Sequence, residues 1–324
     1  MSPNSLSEQI TKYLTDAHSI EEQALVQMKA APELAGDPQM AEIFERHRVE
    51  TEEHERLVEE QLSAHGGGPS TLKDMAGKVT GQGFGMFAAA NPDTPGKLIV
   101  HAHSYEHMEE AAYDMLARVA ARAGDEALAQ VARRIEAQER EMADRVAGCF
   151  GRAVELSLEK VPSGDIQEQL GKYLADAHAL EGQSLQLLDK GARMIGSGEL
   201  AAAMEHHQAE TEQHHRLVEL RLEARGQSAS ALKDAALKLG ALNWGGFFGA
   251  QPDTPIKLAA FAYAVENLEI GAYEMLKRVA ELAGDTETSA MAERILAQER
   301  EAAQKVRSLF DEAVDVTLSE HVSA

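Results

Sequence analysis

The sequence predicts an all-α chain made of two four-helix bundles in tandem. First, long segments carry apolar residues at helical spacing. Second, alternating runs of β-branched and aromatic residues are absent, and aromatic residues make up only 5% of the chain. Third, the 324 residues repeat themselves at a constant offset of 160. The fold class and the number of domains both follow from these three observations.

The repeat aligns from one half to the other without a gap. A period of 160 residues is far longer than a solenoid repeat, so it indicates the duplication of a whole domain. We expect one bundle over residues 1–160 and a second over 161–324, with a linker at 161–165. The clearest matching segments are residues 13–23 with 173–183, 50–54 with 210–214, 92–95 with 252–255, and 137–141 with 297–301.

The first two helices of each half are bounded by helix-breaking residues. In the first half, helix 1 is expected from about residue 6 to 30, ending before Pro32 because proline lacks the backbone N–H. Helix 2 is expected from 38 to 64, ending at the glycines that follow. A short helix near 71–79 and a crossover rich in glycine and phenylalanine, over 81–91, come next.

The last two helices complete the bundle. Helix 3 is expected to begin after Pro95 and to end near Gly124. Helix 4 is expected to begin at Asp125, a suitable N-cap, and to run to about Glu159. Four long helices with one long connection between the second and the third are typical of an antiparallel bundle with a single crossover.

Each predicted helix carries acidic side chains on the face that should be apolar. In helix 2, His47, Glu50 and His54 lie between Phe44 and Leu57 at helical spacing. Since the interruptions fall near mid-helix, antiparallel packing brings them to one level. Buried carboxylates repel one another, so such a cluster takes up protons or binds cations. The plainer alternative is a buried network of salt bridges and hydrogen bonds.

A pair of divalent metal ions compensates this charge, with carboxylate oxygens and imidazole nitrogens as ligands. The sequence therefore predicts a dinuclear iron or manganese site in each half, held by residues from all four helices. His47 is expected either as a ligand or as a hydrogen-bond partner of a carboxylate. The predicted ligands are Glu21, Glu50, His54, Glu106, Glu109 and Glu139 in the first half, and Glu181, Glu210, His214, Glu266, Glu269 and Glu299 in the second.

The two halves can be compared with each other at these positions. All six predicted ligands recur in the second half, whereas several charges that we expect to face outward do not. Glu110 becomes Ile270, for example, and Glu136 becomes Leu296. The comparison favours an inward role for the recurring carboxylates.

Four motifs occur in the same order in each half: Asp-x4-Glu-x-Gln, Glu-Thr-x-x-His, Glu-x-x-Glu-x3-Tyr and a glutamate-rich fourth helix. In these motifs, the chain resembles the YciE/YciF group of ferritin-like proteins over nearly all of each half. The resemblance implies two ferritin-like bundles, a carboxylate-bridged metal site and a role in stress response, and no substrate. The residues that carry it are Asp16, Glu21, Gln23, Glu50, Thr51, His54, Arg56, Leu57, Glu106, Glu109, Tyr113, Glu139 and Glu141.

The chain departs from well-studied ferritin-like enzymes in two places. Those enzymes often carry Glu-x-x-His in helices 2 and 4, but here helix 2 has Glu50 and His54 four residues apart. Helix 4 has Met142, not histidine, three residues after Glu139. Either Glu106 or His47 is then expected to supply the missing ligand.

Composition excludes several classes of function. The formal net charge is −23, which repels phosphate backbones and argues against nucleic-acid binding. No apolar run is long enough to span a membrane, and residues 1–9 do not look like a secretory signal, so a cytoplasmic protein is expected. The single Cys149 cannot form an intramolecular disulfide or a cysteine-based zinc site.

Three functions are compatible with these features. The leading hypothesis is iron, oxygen or peroxide handling in oxidative stress, as a ferroxidase or peroxidase-type oxidoreductase with about two metals per half. In it, Glu50 and Glu139 bridge the metals, and Glu21, Glu109 and His54 are terminal ligands. The alternatives are a metal-free helical scaffold or partner-binding protein, and a di-metal oxygenase acting on an organic substrate. The sequence leaves the metal, the reaction and any homo-oligomer open.

Overall fold

The computed structural model describes residues 3–68, 94–159, 161–162, 165–226 and 254–320. Within these ranges it contains ten helices and no strand, which confirms the all-α prediction of two bundles in tandem. The expected short helix near 71–79 and the crossovers at 81–91 and 241–251 lie outside these ranges. The helices are α1 (Pro3–Leu34), α2 (Pro38–Ala64), α3 (Thr94–Ala123), α4 (Glu126–Ala147), α5 (Phe150–Leu158), α6 (Ile166–Ile195), α7 (Glu199–Ala224), α8 (Thr254–Leu282), α9 (Thr286–Ser308) and α10 (Phe310–Glu320).

The chain divides into two compact units: one comprises the chain up to Ser157 together with Leu318 and the residues after it, and the other spans Leu158–Thr317. In the first unit, α1 packs against α2 and α3, and α3 packs against α4. In the second unit, α6, α7, α8 and α9 pack in the same way. No helix in the described ranges has the length and apolar character needed to cross a bilayer.

The first helix continues past Pro32 to Leu34, so the predicted end before that proline is wrong. Pro32 lies in the last turn, where its missing N–H removes only one intrahelical hydrogen bond. The turn still closes beyond it, because the N–H of Ala35 donates to the carbonyl of Ala31 at 2.9 Å. Helix α2 then begins at the predicted residue, with the Asp37 carboxylate capping the N–H groups of Gln39 and Met40.

A tight turn joins α3 to α4, as predicted. Gly124 has a positive φ of 77°, a left-handed conformation that glycine adopts without steric cost. The N–H of Asp125 reaches back to the carbonyl of Ala120 at 2.9 Å, which ends α3. The Asp125 side chain then accepts from the N–H of Leu128 at 3.0 Å and starts α4. This short connection makes α3 and α4 antiparallel neighbours.

The predicted fourth helix is not continuous to Glu159, because it breaks between α4 and α5. The N–H of Cys149 bonds to the carbonyl of Val146, only three residues back, at 2.9 Å. The second half breaks at the matching residue, where the N–H of Leu309 bonds to Val306 at 3.0 Å. Gly148 is matched there by Ser308, so the glycine alone does not cause the break.

The buried stripe of α2 shows how the fold brings charged groups into the core. Seven of its residues are buried, and their spacing alternates mostly between three and four, so they form one face. Two of these seven are histidines, seven residues or about two turns apart at mid-helix. The buried residues are Met40, Phe44, His47, Thr51, His54, Val58 and Leu62.

Candidate metal centre

Six charged or titratable side chains meet in the middle of the first bundle. They come from all four long helices: one from α1, two from α2, two from α3 and one from α4. Each is at most 1% exposed, although each would be hydrated in an unfolded chain. The six are Glu21, His47, His54, Glu106, Glu109 and Glu139.

These side chains form two groups that share one carboxylate. Glu21 and His54 lie on one side of Glu139, and His47, Glu106 and Glu109 lie on the other. Within each group, every residue offers a donor atom within 4.8 Å of the others. Donor atoms on one first-row metal ion are separated by at most about 4.3 Å, so each group is close to the size of a coordination shell.

The second bundle repeats this arrangement. One group contains Glu181, His214 and Glu299, and the other contains His207, Glu266, Glu269 and Glu299. Glu299 is the shared carboxylate, as Glu139 is in the first half. All of these residues are at most 5% exposed.

Each histidine uses one ring nitrogen outside the cluster and turns the other inward. Nδ1 of His47 donates to Glu50 at 3.1 Å, and Nε2 of His54 donates to the side-chain oxygen of Gln138 at 3.3 Å. The matching contacts in the second half are 3.2 Å each. A partner on one nitrogen fixes the ring so that the other nitrogen faces a metal, as is usual for metal-bound histidine.

The inward-facing atoms lack hydrogen-bond partners among the described residues. Nine such atoms are buried in the first half, including both carboxylate oxygens of Glu106, Glu109 and Glu139. Some lie close to each other: Nδ1 of His54 is 2.7 Å from Oε1 of Glu139. This contact is an ion pair at close range, and Nε2 of His47 lies 3.0 Å from Oε2 of Glu106 in another. Buried polar atoms are almost always satisfied, so this many orphaned ligand atoms require a cation or protons.

The pKa values of the buried carboxyls are shifted by their surroundings. Burial raises the pKa of Glu21 to about 8 and that of Glu106 to about 7. Burial and the neighbouring carboxylates hold the pKa of Glu109 well above its ordinary value. Burial also acts upward on Glu139, but its hydrogen-bonding contact with His54 and the positive charges of His47 and His54 outweigh burial, so the pKa of Glu139 is lowered. Without a metal, the cluster therefore keeps protons at neutral pH.

Tyrosines hold the carboxylates of the first and sixth helices in place. The hydroxyl of Tyr113 donates to Oε1 of Glu21, and that of Tyr273 donates to Oε1 of Glu181. Both tyrosines are buried. In the second half, Ser184 adds a contact to Glu269 at 3.4 Å. Oε2 of Glu21 stays free to face the cluster, since the tyrosine occupies only Oε1.

The structure brings together five of the six predicted ligands in each half. Glu50 is the exception: its side chain is 18% exposed, and it accepts from His47 and from Arg145 at 3.0 Å. The hydrogen bond from His47 lowers the pKa of Glu50 to about 2. Glu210 lies in the same way beside His207 at 3.2 Å. The ligand roles of all six residues in each half stay predictions, and Glu50 and Glu210 belong to none of the groups.

Sequence reasoning missed some of the residues around the centre. Gln138 contacts His54, and Gln298 contacts His214. An uncharged residue on a helix does not interrupt an apolar stripe as a charged one does, so a single sequence does not reveal this role. The expectation that Glu110 faces outward is wrong, because it is only 1% exposed. Glu110 accepts from Arg140 at 2.7 Å, and α3 is buried around most of its circumference at this level.

A family model described as a domain of unknown function (DUF892) matches residues 5–159 and again residues 165–319. Each match covers nearly the whole of one half and includes every residue of its buried cluster. No solved structure matches the chain.

Proposed function

This chain belongs to the DUF892 family, and we propose that each of its two family domains holds a pair of divalent iron or manganese ions that react with oxygen or peroxide. The observation that carries the proposal is the set of buried ligand atoms without hydrogen-bond partners, arranged as two groups around one shared carboxylate. A purely structural network satisfies its own donors and acceptors, and this one does not. The metal-free scaffold is disfavoured for the same reason.

Charge balance supports a pair of ions in each half. Each cluster contains four carboxylates and two histidines, so two divalent cations neutralise it. Carboxylate-rich sets with imidazole suit iron and manganese in helical bundles. A single ion would leave two of the four carboxylates to be neutralised by protons.

The grouping supports different tasks for the residues. Glu139 and Glu299 each belong to both groups of their half and would hold both ions. Glu21, His54, Glu106, Glu109 and His47 would each hold one ion, with matching residues in the second half. Glu50 and Gln138 orient the imidazoles, so the bridging role expected of Glu50 passes to an orienting one.

Iron held by these residues would supply electrons to oxygen or peroxide. The protein's own contribution is to exclude water and to place the protonable groups. Glu21 and Glu106 hold protons at neutral pH when the centre is empty and must release them to bind cations. The hydroxyl of Tyr113 fixes which oxygen of Glu21 faces the centre.

Burial of the cluster favours a small oxidant over an organic substrate. The residues of both clusters are at most 5% exposed, and Glu21, His47 and Glu106 are fully buried. Oxygen and peroxide are small enough to reach such a centre through minor opening of the bundle. The oxygenase alternative requires a substrate cavity beside the ligands.

Metal analysis of chelator-treated protein, reloaded with Fe(II) or Mn(II), tests the proposal. We expect about four ions per chain, and almost none in the variant that combines Glu139→Gln with Glu299→Gln. The matched control combines Glu141→Gln with Glu301→Gln, two positions further along the same helices, where Glu141 is 62% exposed. The control is expected to retain all four ions.

Reactivity is then followed as oxidation of the bound Fe(II), with oxygen and with peroxide supplied separately. Fe(II) bound to wild type should be oxidised faster than Fe(II) free in solution. The variant with Glu139→Gln and Glu299→Gln should give no such acceleration. If the wild type binds no metal, or if this variant binds as much as the control, the proposal is wrong.

A further inference from the structure

A second group of possible ligands links α6 to α7, apart from the buried centre. It consists of His178 on α6 and of His215 and Glu219 on α7. Each offers one donor atom, and these three atoms lie within 4.8 Å of one another. His215 and Glu219 are one helical turn apart, so they share a face of α7. The ring centroids of His178 and His215 lie only 3.9 Å apart.

The surroundings leave these donors available. Nε2 of His178 is buried and, within the described ranges, has no hydrogen-bond partner. The neighbouring position on α6 is Gly182, where an added Cβ would lie 3.8 Å from Nε2 of His215. A longer side chain there would occupy the space beside the ring. The adjacent cation, Arg216, lies 3.7 Å from Glu212.

We propose that His178, His215 and Glu219 form a mononuclear site for a divalent ion of the zinc type. Two imidazoles and one carboxylate are a typical ligand set for Zn²⁺, with a fourth position left for water or another ligand. Nitrogen-rich sets favour late transition ions over iron and manganese. Two nitrogens on one tetrahedral zinc ion lie about 3.3 Å apart, so small side-chain rotations close the group.

The first half lacks this site and therefore provides a natural control. The positions of His178, Gly182, His215 and Glu219 are occupied there by His18, Glu22, Glu55 and Glu59. Nε2 of His18 lies 3.5 Å from Oε1 of Glu55, in an ion pair. One imidazole among three carboxylates is a different donor set, so the site is specific to the second half. The inference does not depend on the buried centre.

Equilibrium dialysis of the chelator-treated full chain against Zn²⁺, with metal counting, tests this site. His215→Glu installs the residue of the first half and should hold one zinc ion fewer per chain than wild type. His178→Gln should show the same loss. The control His206→Gln removes a 78% exposed histidine from the same helix and should change nothing. Circular dichroism verifies the helical content of each variant.

The reverse exchange tests sufficiency. Glu22→Gly with Glu55→His rebuilds the group in the first half and should add one zinc ion per chain. Equal zinc counts in wild type and in folded His178→Gln would overturn the proposal, even if His215→Glu failed to fold. Loss of zinc from the buried centre would instead follow Glu139→Gln and Glu299→Gln, so the two sites are told apart.

Discussion

Replacing Glu21 and Glu181 by glutamine should stabilise the metal-free protein at neutral pH and remove that gain in acid. Glu21 is fully buried, with a pKa of about 8 against an ordinary value of 4.5. A raised carboxyl pKa leaves stability intact below the unfolded value and reduces it as pH rises towards the folded value. The loss therefore develops between about pH 4.5 and pH 8.

The magnitude follows from the pKa difference. At pH 7.5 the wild-type carboxyl costs about 4 kcal/mol, and at pH 5 less than about 1 kcal/mol. Glutamine retains the acceptor for Tyr113, but its buried amide N–H groups cost about 1–3 kcal/mol if they find no partner. The net gain at pH 7.5 is then about 1–3 kcal/mol per half. The difference between variant and wild type should change by about 3 kcal/mol from pH 5 to pH 7.5.

Urea unfolding of chelator-treated protein, followed by circular dichroism across this pH range, measures the effect. The matched control is Glu139→Gln with Glu299→Gln, since the histidines lower the pKa of Glu139 and hold that of Glu299 to about 2. That variant should lose stability at pH 7.5. The reasoning is refuted if the Glu21 variant gains nothing at pH 7.5, if its gain is the same at pH 5, or if both variants shift in the same direction.

Three further outcomes follow from the buried centre and its packing. Loading with Mn²⁺ should release more protons at pH 6.5 than at pH 8.5, because Glu21 and Glu106 lose their protons on binding. An indicator dye measures the release, and equal release at the two pH values would contradict the prediction. The variant with Gln138→Leu and Gln298→Leu should bind metal about 10–100-fold more weakly, with little change in fold. Competition with a chelator measures the affinity, and an unchanged value would argue against an orienting role for these glutamines. Phe44→Ala should lower the free energy of unfolding in urea by about 3–5 kcal/mol, since Phe44 is 1% exposed on the buried face of α2. A loss under about 1 kcal/mol would show that this core collapses around the gap.

The main helices and most side chains of the buried clusters could be predicted from the sequence because burial leaves a periodic signal. A carboxylate on an apolar stripe is conspicuous, and two gap-free copies of the stripe make it more so. Helix α2 matches its predicted ends, since a cap at Asp37 and a glycine run mark both boundaries. The end of α1 could not be predicted, because a proline in a last turn breaks only one hydrogen bond.

For side chains at the edge of a buried stripe, the sequence does not predict well whether the side chain is buried or exposed. Glu50 lies roughly 80° around α2 from the centre of the buried face, so a small helix rotation decides whether it enters the core. It lies at the edge, whereas Glu110 on the more fully enclosed α3 lies inside. Helix rotation is set by packing between helices, which periodicity in one helix does not record. The break between α4 and α5 has no shared residue signal in the two halves.

The burial of eight carboxylates also lowers the net negative charge that the protein surface presents to ions in solution. With those eight charges neutralised by protons or metals, the formal charge of −23 falls to about −15, all of it outside the two centres. This remaining field draws cations towards the surface and raises their local concentration there. Salt screens such a field over about 10 Å at 0.1 M but hardly reaches a buried site. Ionic strength should therefore slow the arrival of metal ions far more than it weakens their final binding.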